Sequence, residues 1–305
     1  MTRGVFPRLR RLAAAAALAL LAWPAAASDD RPPARPPPRW SELRFVARRL
    51  LLTAETTVRV SEVAVGDTAL VDVPGLAGRT PSGDRVARVE VESRLLGRHT
   101  VAAVLLDPLD GAALQSVTRE FGKRAREKVQ RFGAAAVAVA RARPAEGETR
   151  LPVERWSRRS SERLPLPAAA PGEPLATDSA ALLWLLATAP LARPGDTLPV
   201  RLWSGGRVIA AEVRVEARTQ AVLAIRERRG GRDRDVERTV PALVLVIAAA
   251  GPGDGAEDEE VEVLGLRGRV RVVLDAERRF PIELAGRVPK AGAVTVRLQE
   301  AALLD

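Results

Sequence analysis

The sequence predicts an all-β protein: a large twisted antiparallel sheet, closed or half-closed into a barrel, with one short buried helix at about residues 179–189. Three observations carry this. After Ser41, apolar and polar residues alternate with a period of two through most of the chain, the signature of half-buried strands. The breaks between runs are short and rich in Gly, Pro and Asp, which suits hairpins and leaves no room for the crossover helices of a parallel sheet. One segment alone is apolar on nearly every side over a helical length. A sheet of this size has to curl, and curling creates a concave apolar face.

The chain begins with a segment of a different kind. Arg3, Arg8, Arg10 and Arg11 precede an apolar run from Leu12 to Trp23, then Pro24 and the small residues Ala25–Ala27. This is the tripartite pattern of a secretory signal peptide, with cleavage expected after Ala27. The apolar run is too short for a spanning helix, which needs about 20 residues. No Cys follows, so a lipoprotein is excluded, and the flanks of Arg10–Arg11 suit general secretion better than twin-arginine export. Residues 28–40 form a proline-rich linker that favours an extended spacer, with Trp40 placed to dock at the domain edge. Residues 41–305 are read as a single β-rich domain.

Within that domain the strands come in order. Leu43, Phe45 and Ala47 share one face, and Thr56 to Val65 is rich in Val and Thr. Val89 and Val91 share a face in the next run, and His99 to Leu106 is apolar. Arg119 to Phe132 allows two readings. Phe121, Ala125, Val129 and Phe132 fit one helix face, whose basic side would touch anionic lipid. The same residues also fit two strands meeting near Gly122. Further on, Asp178 or Ser179 can cap a helix over Ala180–Ala189, and Pro190 ends it. Leu198, Val200 and Leu202 then lead through Ser204-Gly205-Gly206 to Ile209, Ala211, Val213 and Val215, a hairpin pattern. Ala221–Arg226 pairs with the run beyond Gly230-Gly231. Leu243–Ile247 suits a strand buried on both faces. Val270, Val272 and Leu274, a polar turn at Asp275–Arg278, then Phe280, Ile282 and Leu284, and finally Val294, Val296 and Leu298 complete the pattern.

Composition excludes much. The absence of Cys removes disulfides, thiolate metal sites and Cys nucleophiles, and a single His removes any centre with two His ligands. Losing the four leader arginines takes the formal charge from +10 to +6. The remaining charge is dispersed and of mixed sign, a solvated surface and not a nucleic-acid stripe. Gly251-Pro252-Gly253-Asp254-Gly255-Ala256 matches a dinucleotide fingerprint, but Glu257–Glu260 come next, where a phosphate-binding helix would have to start. The acidic run lacks the spacing of a calcium loop. His99 lies at a strand end with no G-x-S-x-G elbow anywhere. No catalytic residue, cofactor site or metal site is predicted. Paired carboxylates of a glycan hydrolase remain open, because any two acids can converge in space.

Two groups of residues resemble an exported bacterial family, domain of unknown function 3108. The first is Asp178-Ser179-Ala180-Ala181-Leu182-Leu183, with Pro194-Gly195-Asp196 and Trp203-Ser204-Gly205-Gly206. The second is Val272-Val273-Leu274-Asp275, Arg278-Arg279-Phe280-Pro281-Ile282 and Ala293-Val294-Thr295-Val296. Gly122–Val139 also looks like the family's basic strand pair, which tips that region towards β. Val272 and Val273 stand where a strand Trp would be expected, and expected tyrosines are missing. The resemblance implies a periplasmic, mainly antiparallel β domain and supplies no catalytic residues.

Together these readings predict a non-catalytic protein of the cell envelope, periplasmic or secreted. It would bind a lipid or other apolar or amphiphilic ligand, or a protein partner, on the concave face. Leu182, Trp184, Leu185 and Trp203 are the residues expected to face it. The alternatives are an interaction module without ligand and a carboxylate-dependent glycan hydrolase. Neither nucleic acid nor an integral membrane span after cleavage is expected.

Overall fold

The computed structural model describes residues 35–49, 52–73, 75–95, 97–250, 261–289 and 291–304. The predicted leader, residues 28–34 of the linker and the glycine-rich and acidic run 251–260 lie outside the described residues. Eight strands form an antiparallel meander: β1 (Trp40–Arg49), β2 (Leu52–Ala64), β3 (Arg85–Leu95), β4 (Arg98–Leu106), β5 (Ala113–Phe121), β6 (Arg126–Phe132), β7 (Ala136–Arg143) and β8 (Arg158–Pro165). The ambiguous segment is therefore strand, β5 turning into β6 through Gly122–Ala125, where Ala125 N–H donates to Gly122 O at 3.0 Å. Strand β9 (Ala176–Asp178) leads into helix α1 (Leu182–Thr188). A second meander comes after it: β10 (Thr197–Ser204), β11 (Arg207–Arg229), β12 (Arg232–Ala249), the two-residue β13 (Glu262–Val263), β14 (Leu266–Asp275), β15 (Pro281–Val288) and β16 (Gly292–Leu303).

Antiparallel pairing of β1 with β16 joins both meanders into one sheet, ordered β8 back to β1, then β16, β15, β14, β12, β11, β10 and β9. The sheet is large and antiparallel, as the sequence predicts, except at two places that make it mixed. β9 runs parallel to β10, with α1 as the crossover between them. Such a crossover is the normal way to return a chain in the same direction. The far part of β11, Arg226–Arg228, lies parallel to Glu300–Ala302 of β16. That contact closes a ring of five strands: β11, β12, β14, β15 and β16.

Two hairpins, β10–β11 and β11–β12, form where the sequence places paired glycines. Ser204 pairs with Arg207 across Gly205-Gly206, whose φ angles are 60° and 91°. Two successive left-handed residues make the primed turn that matches strand twist, and glycine adopts them without a Cβ clash.

Helix α1 is packed inside the curl. All seven of its residues are buried, as an all-round apolar helix requires. The Asp178 carboxylate accepts from Ala180 N–H at 3.0 Å and so caps the short turn that opens the helix. Gly111 lets the helix approach, since a Cβ there would sit 2.6 Å from Leu185 Cδ2. At the other end the half-buried Arg279 guanidinium donates to Leu186 O (2.8 Å), Ala189 O (2.7 Å) and Leu191 O (2.7 Å). These include carbonyls that a helix C-terminus leaves without partners.

Other arginines tie main chain in the same way. Buried Arg131 donates to Leu114 O (2.6 Å) and Arg79 O (2.7 Å). Arg79 bridges Ala113 O (3.2 Å) of β5 and Ala176 O (2.8 Å) of β9. Arg201 of β10 reaches Pro167 O (2.7 Å), just beyond β8. The two edges of the curled sheet are thereby held near each other. Trp40 is fully buried and donates to Arg279 O at 3.4 Å, so the predicted docking of this residue is a packed contact.

Replacing Arg279 by Met keeps side-chain length but leaves three carbonyls without a charged donor. We expect a loss of about 3 kcal/mol, read by thermal and urea unfolding. Arg287→Met, at an exposed position, should cost no more than about 0.5 kcal/mol.

Candidate ligand cavity on the inner face

The four residues expected to face a ligand are enclosed by protein. Leu182 is fully buried, and Trp184, Leu185 and Trp203 are each 3% exposed. Trp203 stands edge-on to Phe132, with ring centres 6.3 Å apart. The helix thus fills the apolar part of the concavity. The open space lies further along the same inner face.

Strand register explains where it lies. Directly opposed residues in antiparallel strands share a face. One row across the sheet reads Leu43, Val58, Val91, Ala102, Thr118, Lys128, Arg141, Ser160 from β1 to β8. The row beside it runs Phe45, Thr56, Ser93, Thr100, Glu120, Arg126 from β1 to β6. Both rows change from apolar to charged as they leave the helix-filled end. Over β5–β8 the face carries a cavity of about 470 Å³, bounded opposite by the Gly205-Gly206 turn. Val139 and Leu164 supply apolar wall.

Its charges are unevenly matched. Arg126, Lys128, Arg141 and Arg143 line it with Glu120, Glu127 and Glu162. Each carboxylate has an arginine of its own: Glu120 is bonded to Arg126, Glu127 to Arg119, and Glu162 to Arg141 at 2.6 Å. Lys128 and Arg143 form neither a hydrogen bond nor an ion pair with the described residues. Lys128 also lies directly opposite Arg141, a like-charge pairing that destabilises a sheet. Burial pushes the Lys128 ammonium below its ordinary value; Asp178 and Glu120 oppose this, while Arg126 and Arg141 add to it. A second hollow of about 940 Å³ lies on the other face of β6–β8, walled by residues such as Val71, Val73, Val129 and Ala140. Its buried arginine, Arg131, is committed to carbonyls.

The other residues singled out in the sequence lie away from this cavity. His99 Nε2 lies 3.0 Å from Glu92 Oε1, and its ring stacks on Phe121 at 4.7 Å. Burial pushes the Glu92 carboxyl up, but hydrogen bonds from Arg94, Arg59 and His99 outweigh it and hold the group below its ordinary range. Among the acids, Asp107 accepts from Ser82 and Leu109 N–H and Asp110 from Ala112 N–H, so both shape the β4–β5 turn. Among the described residues no cluster of three His, Asp or Glu side chains is placed to hold a metal ion, and no helix is long and apolar enough to cross a membrane. Sequence reasoning flagged the basic stretch containing Arg126 and Lys128 but missed Arg141 and Arg143. Their relation to it exists only once β6 and β7 are in register.

Compared with family models, with curated proteins and with solved structures, the chain gives no match.

Lys128→Gln should stabilise the protein by about 0.5–1 kcal/mol at neutral pH by removing the opposed charge. A lysine whose folded-state value is lowered costs stability while charged, so the penalty is complete below that lowered value. It fades as pH rises towards the ordinary 10.5. The gain of the variant over the parent should therefore shrink across that window, measured by urea unfolding at stepped pH.

Proposed function

We propose that the protein is an exported, non-catalytic component of the cell envelope that binds an amphiphilic ligand in the inner-face cavity. The observation that carries this is the cavity's position, where an apolar wall of Val139 and Leu164 meets a charged floor on β5–β7. Ligand sites commonly combine an apolar lining with a few polar groups. The leader-like segment 1–27 and the resemblance to an exported β family support the compartment. The commitment of the nearby carboxylates to arginines and to turn amides supports binding over carboxylate catalysis. One observation favours an interaction module instead: the apolar residues of the five-strand ring, among them Leu223, Leu284 and Leu298, are close-packed into the common core. Under that reading the ring would serve only as a scaffold.

Native mass spectrometry of protein recovered from the periplasm, with organic extraction of the same sample, decides between them. We expect an intact mass beginning at Ser28 and a reproducible non-covalent adduct. Thr118→Trp, which fills the cavity beside Lys128, should abolish the adduct without unfolding the chain. A protein recovered ligand-free in repeated preparations would sink the binding reading and leave the interaction module.

A further inference from the structure

We infer that the cavity is built to take an anionic head, phosphate or carboxylate, seated against Lys128 with Arg143 at its side. This rests on the ligand-binding reading above and gives the ligand its charge. The first ground is the balance of charge within the lining. Three carboxylates are matched by Arg119, Arg126 and Arg141, and two cations remain over. Lys128 is half-buried, and the charges of Asp178 and Glu120 offset only part of the cost of that burial, while Arg143 stands exposed at the rim with no carboxylate of its own.

The second ground is register. Lys128 faces Arg141 across β6 and β7, and Arg143 faces Arg158 across β7 and β8. Two like-charge pairs set side by side on neighbouring strands cost stability in the empty protein. An anion lying between these strands would offset both repulsions. The third is the shape of the surroundings. Elsewhere in the fold, half-buried and buried arginines (Arg79, Arg131, Arg201 and Arg279) are satisfied by main-chain carbonyls. Lys128 has no such carbonyl, although it lies on the same sheet. Its ammonium is left facing the open space, between Arg126 and Arg141 on one side and the Asp178 region on the other. The charge is local, so the inference concerns one head group and not a polyanion.

The chain has only three lysines, Lys123, Lys128 and Lys290, which makes the test direct. The mature protein is reductively methylated with 13C-formaldehyde, and the dimethyl-lysine resonances are assigned with Lys123→Arg and Lys290→Arg. Three probes are titrated below their micelle concentrations: inorganic phosphate, dodecyl phosphate and the uncharged dodecyl maltoside. Dodecyl phosphate should shift the Lys128 resonance selectively and bind at least about tenfold more weakly to Lys128→Gln. Lys128→Arg should retain most of that affinity, and Arg143→Gln should lose part of it. An equal response to inorganic phosphate would identify a free anion as the ligand, while a response to dodecyl phosphate alone would identify an amphiphile's head group. If dodecyl phosphate and dodecyl maltoside bind equally to parent and Lys128→Gln, with the Lys128 resonance unmoved, the anionic assignment is overturned and the ligand reading survives. If no probe binds the parent, both fall. Because Lys128→Gln should be the more stable protein, its loss of binding would not be loss of fold.

Discussion

The bond on which this architecture depends is the one between an arginine guanidinium and a main-chain carbonyl. Arg279 gathers three carbonyls at the end of α1, and Arg131 and Arg79 hold the strand ends beneath it. Buried carbonyls have to be satisfied, and the ends of a seven-residue helix inside a core offer several at once. A planar fork with five N–H donors reaches more than one of them without a second side chain. In a chain without cysteine, these forks take the place of covalent ties. They also fix the helix in depth, and the depth of the helix decides which part of the inner face stays open.

That division organises the molecule. Near β1–β3 the inner rows are Leu, Val and Phe with the uncharged Thr56 and Ser93; towards β6–β8 they become mainly Lys, Arg and Glu. The apolar helix does not cover the charged rows, where it would strand those charges, and the sheet continues past it. The cavity is the remainder. Arg201 reaching Pro167 and Arg79 reaching Ala176 hold the opposing edges close enough to bound that remainder.

Much of the fold was legible because it is local. Alternation found the strands around Phe45, Val89 and Val213, and paired glycines found the turns at Gly205-Gly206 and Gly230-Gly231. The all-round apolarity of Leu182–Thr188 found the buried helix. What stayed hidden depends on pairings remote in sequence. Nothing near Arg226 announces that it will lie beside Glu300, and the parallel seat of β9 is visible only once α1 has turned the chain. The cavity was hidden for the same reason. Lys128 and Arg141 look like two ordinary surface charges until register sets them face to face. That Trp184 and Trp203 meet neighbours and not a ligand was not legible, because a large apolar side chain reads alike in either setting.

Strand β11 belongs both to the hairpin at the cavity's lip and to the five-strand ring. Its first residues flank the turn at the cavity's lip and pair with β10, and its last ones, past an irregularity between Val215 and Ala217, close the ring against β16. One strand of 23 residues thus links the cavity's lip to the ring, and β1 with β16 is the seam that joins the ring to the first meander. Neither part can be opened while the other keeps all its hydrogen bonds. The shared strands therefore couple the two parts, and opening one loosens the hydrogen bonds of the other.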